Sequence, residues 1–244
     1  LVGMISLARH DEVRGAYDAL ISSYAAYIQA MQKENGGFRG VFNLGRAIQS
    51  EAESSYSNGE ALLALVRYDE YVPNDVTKIG IANAFHYFKN EVPFDTSLYL
   101  WVMGALADLY VREPRSDYAS YVKAYTDWRM AGYAHRRDTT HNVCAYTEGL
   151  VLAYRVLDGF LSPAALVPYR DEIQFWLAQG RTLQVSTDDR YRVFFSGRTS
   201  PFAAIEDMGR AHGGFLTGES ELTQRIDFTQ HCLNSYLVWN AIEQ

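Results

Sequence analysis

A run of small and apolar residues recurs along this chain at a nearly constant interval. Gly59-Glu60-Ala61-Leu62-Leu63-Ala64-Leu65 returns loosely as Met103-Gly104-Ala105-Leu106-Ala107-Asp108-Leu109 and again as Glu148-Gly149-Leu150-Val151-Leu152-Ala153-Tyr154, at steps of about 44 residues. A fourth copy, Cys232-Leu233-Asn234-Ser235-Tyr236-Leu237, falls roughly two periods further on, with an irregular stretch from Gln184 to Arg225 in place of one repeat. That period fits a polar outer helix followed by an inner helix rich in small residues. Units of this kind cannot bury their apolar faces alone, so they stack into a closing toroid or an open solenoid.

Apolar spacing of three and four residues, broken at Gly, Pro and Asn/Asp clusters, predicts helices over about 10–32, 56–71, 75–91, 97–112, 115–132, 142–158, 163–183 and 228–242. Strand signal is confined to Tyr191-Arg192-Val193-Phe194-Phe195, too brief for more than a hairpin. Gly36-Gly37-Phe38 precedes the second helix and Gly213-Gly214-Phe215 the last. Two glycines permit positive φ and a tight reversal, while the Phe plugs the adjoining hairpin. The expected fold is all-α: one domain over 1–244 of repeated helical hairpins forming an α/α toroid or an incomplete (α/α)6 barrel. The opening residues Leu1 to Ala8 lack an initiating Met and are too short for a signal peptide, so the chain reads as processed or excised, with an additional N-terminal domain or partner subunit completing the barrel. The compartment stays open between bacterial cytoplasm and periplasm.

Composition excludes several classes. A net charge of −7 argues against nucleic acid, which needs clustered Lys and Arg. The longest apolar runs, Ala61 to Val66 and Tyr99 to Leu109, are too short or are interrupted by Asp108, so no membrane span is expected. The two cysteines, Cys144 and Cys232, sit in no metal-ligand spacing, so a disulfide scaffold and a structural zinc site are both poorly supported. No metal or cofactor is expected. The 18 Tyr suit a groove that binds something with apolar faces and hydroxyls, such as a sugar, and half-buried helix positions would account for most of them.

The Gly-Gly-Phe turn followed by a polar loop and an inner helix resembles the α/α-toroid proteins. These include terpene cyclases, protein prenyltransferase β-subunits, six-hairpin glycosidases, polysaccharide lyases and glucuronyl epimerases. The blocks Tyr56 to Leu65, Tyr146 to Leu150 and Arg225 to His231 are similar to those of bacterial toroid proteins linked with polysaccharide-related enzymes. The resemblance implies the toroid, with inner-helix N-termini converging on one mouth.

Polar residues at those N-termini are the candidates. In Glu51 to Glu60, Ser and Asn residues would cap the helix, with Glu60 favourable near its positive end, or Glu60 would act as acid or base and Tyr56 would stack on sugar or transfer a proton. Asp95 carries an N-cap signature and is also a candidate substrate ligand, with Trp101 either lining the mouth or filling the core. The stretch His135 to Glu148 gathers Arg136 and Arg137 to pair a carboxylate, His141 and Tyr146 to move a proton, and Glu148 two turns beyond His141. In Arg225 to Cys232, Asp227 and His231 lie four apart, suiting an Asp that orients a His or two metal ligands, with a plain ion pair as the alternative and Arg225 as a substrate ligand. The insertion Asp188 to Arg198 mixes Arg with aromatics and would form a binding loop or close the ring.

Three functions compete. The first is a carbohydrate-active hydrolase, lyase or epimerase on a polysaccharide or oligosaccharide with anionic units, using Glu60, Glu148, Asp227, His231 and Tyr146 as catalytic groups and Arg136, Arg137 or Arg225 as neutralisers. The second is a prenyltransferase- or terpene-cyclase-like toroid, with Cys144 as thiolate ligand beside Asp227 and His231. Against it, the Asp-x-Cys pair and any aspartate-rich diphosphate motif are absent. The third is a non-catalytic helical-repeat module that binds a glycan or a protein.

Overall fold

The computed structural model describes residues 1–13, 15–133, 143–187, 193–195, 198–200, 211–218 and 221–244. Among these the chain is mostly helical. The chain divides into two compact units, Leu1–Tyr125 and Thr126–Gln244. No described helix is long and apolar enough to cross a membrane.

The first unit holds α1 (Val2–Ala8), α2 (Asp18–Ala30), a short antiparallel ribbon of β1 (Phe42–Asn43) and β2 (Ile48–Gln49), α3 (Ser55–Tyr71), α4 (Asp75–Asn90) and α5 (Thr96–Arg112). One helix was expected over 10–32. Gly15 instead adopts φ +78°, a left-handed conformation that ends regular winding, and α2 starts only at Asp18. The remaining starts follow local capping chemistry. Ser54, Asn74 and Asp95 accept amide hydrogen bonds from the first turns of α3, α4 and α5, satisfying donors that have no partner within the helix.

Helix α3 packs against α5 and α4. Gly59 makes the α3–α5 approach possible, because a Cβ there would lie 2.7 Å from the Cβ of Trp101. Helix α6 (Ser116–Tyr133) begins in this unit and ends in the next. Its first half seats Tyr118 and Tyr121 edge-on against Phe85, with ring centroids 4.7 and 5.7 Å away, while Tyr125 stacks on Phe94. Much of the tyrosine content is thus core, as the half-buried-helix reading holds.

The second unit packs α7 (Val143–Asp158) against α8 (Pro163–Thr182) and α9 (Ile226–Ile242). Strand structure exceeds the expected hairpin: β4 (Val193–Phe195) pairs antiparallel with both β3 (Ser186–Thr187) and β5 (Arg198–Ser200). A further ribbon joins β6 (Leu216–Gly218) to β7 (Glu221–Gln224). The poor expectation for a disulfide is corrected as well, since Cys144 on α7 is bonded to Cys232 on α9 across 88 residues of sequence.

The two Gly-Gly-Phe turns are built alike. Gly36 and Gly213 take φ +101° and +83°, and Phe38 and Phe215 are buried. Each Phe pairs with a glutamine two residues past the end of the preceding helix, Gln32 or Gln184, and that glutamine's side chain donates to the carbonyl of Gly36 or Gly213. Each Phe amide then donates to the fourth residue of the following helix, Asn58 Oδ1 at 2.7 Å or Thr229 Oγ1 at 3.2 Å. Helix, glycine turn, ribbon and helix therefore recur as one construction in both units.

Candidate functional site

Counting from the first residue of each helix, the sixth positions of α3, α5, α7 and α9 are Glu60, Trp101, Glu148 and His231. Within each unit two of these come together.

In the first unit, Glu60 and Trp101 line a cavity of about 520 Å³ with Tyr27, Met31, Phe38, Arg39, Ser57 and Leu63. Its wall is mainly apolar and aromatic with few polar groups, the usual character of a small-molecule site. Loss of solvent lifts the Glu60 carboxyl above the usual carboxylate range, although the residue as a whole remains exposed. Among the described residues this carboxyl has no hydrogen-bond or ion-pair partner. A perturbed, unpaired carboxyl in a cavity is a functional signature, because structural carboxylates are normally neutralised by their neighbours.

Arg39, which sequence reading passed over, faces the same cavity. Its Nε donates to Glu51 Oε1 at 2.9 Å and its Nη1 to the Gln32 carbonyl at 3.3 Å. The only sequence signal for it is its place directly after Gly-Gly-Phe.

Behind the cavity lies a polar cluster that was also missed. Glu53 accepts from Lys33 Nζ at 2.6 Å, Asn58 Nδ2 at 2.9 Å and Tyr87 Oη at 2.8 Å. Burial alone would raise the Glu53 carboxyl, but these donors hold it below the ordinary carboxylate value. Burial and the adjacent Glu53 charge push the Tyr87 hydroxyl up to about 12. The cluster fixes the first turn of α3, and so the position of Glu60 two residues beyond Asn58. It also explains Gly37, where a Cβ would sit 2.8 Å from both Glu53 Oε2 and Tyr87 Cε1.

Two candidates of this unit stand outside the cavity lining. Tyr56 is exposed on the first turn of α3. Asp95 uses Oδ1 to accept from the amides of Ser97 (2.7 Å) and Leu98 (3.2 Å), the capping alternative of the sequence reading.

In the second unit His231 Nδ1 bonds Glu148 Oε2 at 2.6 Å, and Asn234 Nδ2 donates to Glu148 Oε1 at 3.2 Å. Both partners are largely buried, and Ser235 Oγ, donating to the His231 carbonyl at 2.7 Å, supports the same turn. The anticipated Asp227–His231 pairing does not form. Asp227 is held by Arg225 instead, with Nε to Oδ1 at 3.0 Å and Nη2 to Oδ2 at 2.6 Å, and this bidentate bond keeps its carboxyl below the usual range. Arg225 thus neutralises an exposed neighbour two residues away.

Tyr146 faces elsewhere. Its hydroxyl donates to Glu172 Oε1 at 3.0 Å, an oxygen that also accepts from Trp176 Nε1 at 2.6 Å, and the Arg129 guanidinium lies 4.9 Å from its ring centre. Arg136, Arg137 and His141 lie outside the described residues. Among those described, no group of three or more His, Cys, Asp or Glu is placed to hold a metal. Cys144, as half of a disulfide, is not the thiolate ligand that the prenyltransferase-like reading needs.

The chain matches no protein-family model, no curated protein and no solved structure.

Proposed function

We propose that this chain is a carbohydrate-active protein of the α/α-toroid type, in which the cavity of the first unit seats a sugar residue of a polysaccharide and Glu60 moves the proton. The observation supporting this is Glu60 itself, a desolvated and unpaired carboxyl beside Trp101 on the wall of an aromatic cavity of about 520 Å³. A flat indole offers one face to the C–H groups of a sugar ring, and a carboxyl kept protonated at higher pH than usual can protonate a leaving glycosidic oxygen. Ser57, whose hydroxyl shares a hydrogen bond with Ser54 at 2.5 Å, and Tyr27 supply further polar edges to the same wall.

Among the described residues the lining contains one carboxylate, whereas most glycoside hydrolases flank the scissile bond with two. That count favours a second reading, a glycan-binding module in which Glu60 hydrogen-bonds a sugar hydroxyl without turnover. The test is to incubate wild type, Glu60→Gln and Trp101→Ala with a panel of neutral and anionic polysaccharides, measuring both binding and products. Turnover is expected to fall by roughly 10²–10⁴-fold in Glu60→Gln with binding retained, and binding itself to fall in Trp101→Ala. If Glu60 is the acid, the wild-type rate declines as pH rises through its elevated pKa, because the protonated form is then lost. Added water at new chain ends marks a hydrolase, an unsaturated end a lyase, and an isomer of unchanged mass an epimerase. Binding without products supports the module, and no binding by any glycan rejects both readings.

A further inference from the structure

We propose that the cavity selects sugars bearing a carboxylate, and that Arg39 is the residue that recognises it. This rests on the carbohydrate reading of the cavity. Arg39 is mostly enclosed, its side chain 19% exposed, yet its ion-pair partner Glu51 is 70% exposed on an edge that also holds Lys33 Nζ at 4.0 Å from Glu51 Oε2. Such an exposed carboxylate is weakly held, because water competes for it and its own side-chain freedom opposes the pairing. Glu51 thus occupies the place of a ligand anion and can leave.

The guanidinium is otherwise poised. The Gln32 carbonyl fixes Nη1, and among the described residues Nη2 makes no hydrogen bond, so one edge of the planar fork remains open for a carboxylate. Glu60, with its raised pKa, adds less repulsion to an incoming anion than an ordinary carboxylate would. A sugar stacked on Trp101 with its carboxylate on Arg39 would satisfy both the aromatic and the cationic part of the wall.

The experiment is isothermal titration of the whole chain with galacturonate, glucuronate and mannuronate oligosaccharides, each paired with the same oligosaccharide after reduction of its carboxyls to alcohols. Wild type is expected to bind at least one acidic member about ten-fold to a hundred-fold more tightly than its reduced partner, the range of a charge-assisted bidentate contact. Arg39→Gln should abolish that preference, lowering affinity for the acidic sugar far more than for its reduced partner, while an unchanged circular-dichroism spectrum and melting curve report that the variant is folded. Arg39→Lys should retain only part of it, and Glu51→Gln should tighten acidic binding by removing the competitor. Equal binding of acidic and reduced sugars by wild type overturns this proposal and leaves the carbohydrate reading standing. A preference that survives Arg39→Gln, or an equal loss for both sugars in that variant, also overturns it. Absence of binding by every sugar rejects the carbohydrate reading with it.

Discussion

Replacing Asn58 tests whether the polar cluster behind the cavity holds the start of α3. Its side chain is buried, Oδ1 accepting from the Phe38 amide at 2.7 Å and Nδ2 donating to Glu53 Oε2 at 2.9 Å. Asn58→Ala leaves a buried amide without a partner, roughly 1–3 kcal/mol, and removes one hydrogen bond to a charged carboxylate, roughly 1.5–3 kcal/mol. Lys33 and Tyr87 still serve Glu53, so the expected cost is about 3–5 kcal/mol. Hydrogen exchange of the α3 amides reads this locally, and protection there should fall by roughly 10²–10⁴-fold.

Asn58→Asp separates the two contributions. It keeps the acceptor for Phe38 but sets a second carboxylate against Glu53, raising the folded-state pKa of one of the pair. A raised carboxyl stabilises the fold below its unfolded pKa and loses that contribution as pH rises through the folded value, so the deficit of this variant relative to wild type should shrink as pH falls from 7 towards 5. The wild-type Glu53 carboxyl, held below its ordinary value, acts in the opposite sense and loses its contribution only as pH falls further. A loss under about 1 kcal/mol for Asn58→Ala, or a pH-independent deficit for Asn58→Asp, would refute the argument.

Two further predictions concern the glycine turns and the second unit. Gly37→Ala should destabilise the first unit by about 1–3 kcal/mol, because its Cβ meets the anchored Glu53 and Tyr87. Gly214→Ala should cost less, since its Cβ meets the side-chain amide of Gln224, whose displacement forfeits a single hydrogen bond to the Ala211 carbonyl; thermal melts in which the two are equal would contradict this. A double-mutant cycle on Glu148→Gln and His231→Gln should give a coupling of about 1–3 kcal/mol, while Asp227→Asn should change stability by no more than about 0.5 kcal/mol. Coupling of His231 to Asp227 instead would show that the observed partner is the wrong one.

Helix positions were largely legible in the sequence because they depend on neighbours within one or two turns. The apolar period and the caps Ser54, Asn74 and Asp95 set α3, α4 and α5 close to their expected ranges. The first helix was misread because an apolar period cannot report that Gly15 turns left-handed. Site residues were legible as places but not as partners. Glu60, Trp101, Glu148 and His231 were all singled out, and all prove to be the sixth residues of their helices, a regularity that the aligned repeat blocks do not show because the four fall at different places relative to them.

Pairing was another matter. Asp227 and His231 stand at a spacing that permits contact along one helix, but Arg225 lies nearer to Asp227 and can grip both of its oxygens. That leaves His231 to Glu148, 83 residues earlier in the chain. The cystine of Cys144 and Cys232, the cluster around Glu53 and the turn of Arg39 towards the cavity have the same character. By itself the sequence determined the helices, their repeat and the glycine turns, since these answer to local backbone sterics and short-range periodicity. Only the tertiary structure decided which charges meet and which remain open, because a charge takes whichever partner the packing of distant helices brings within about 3 Å.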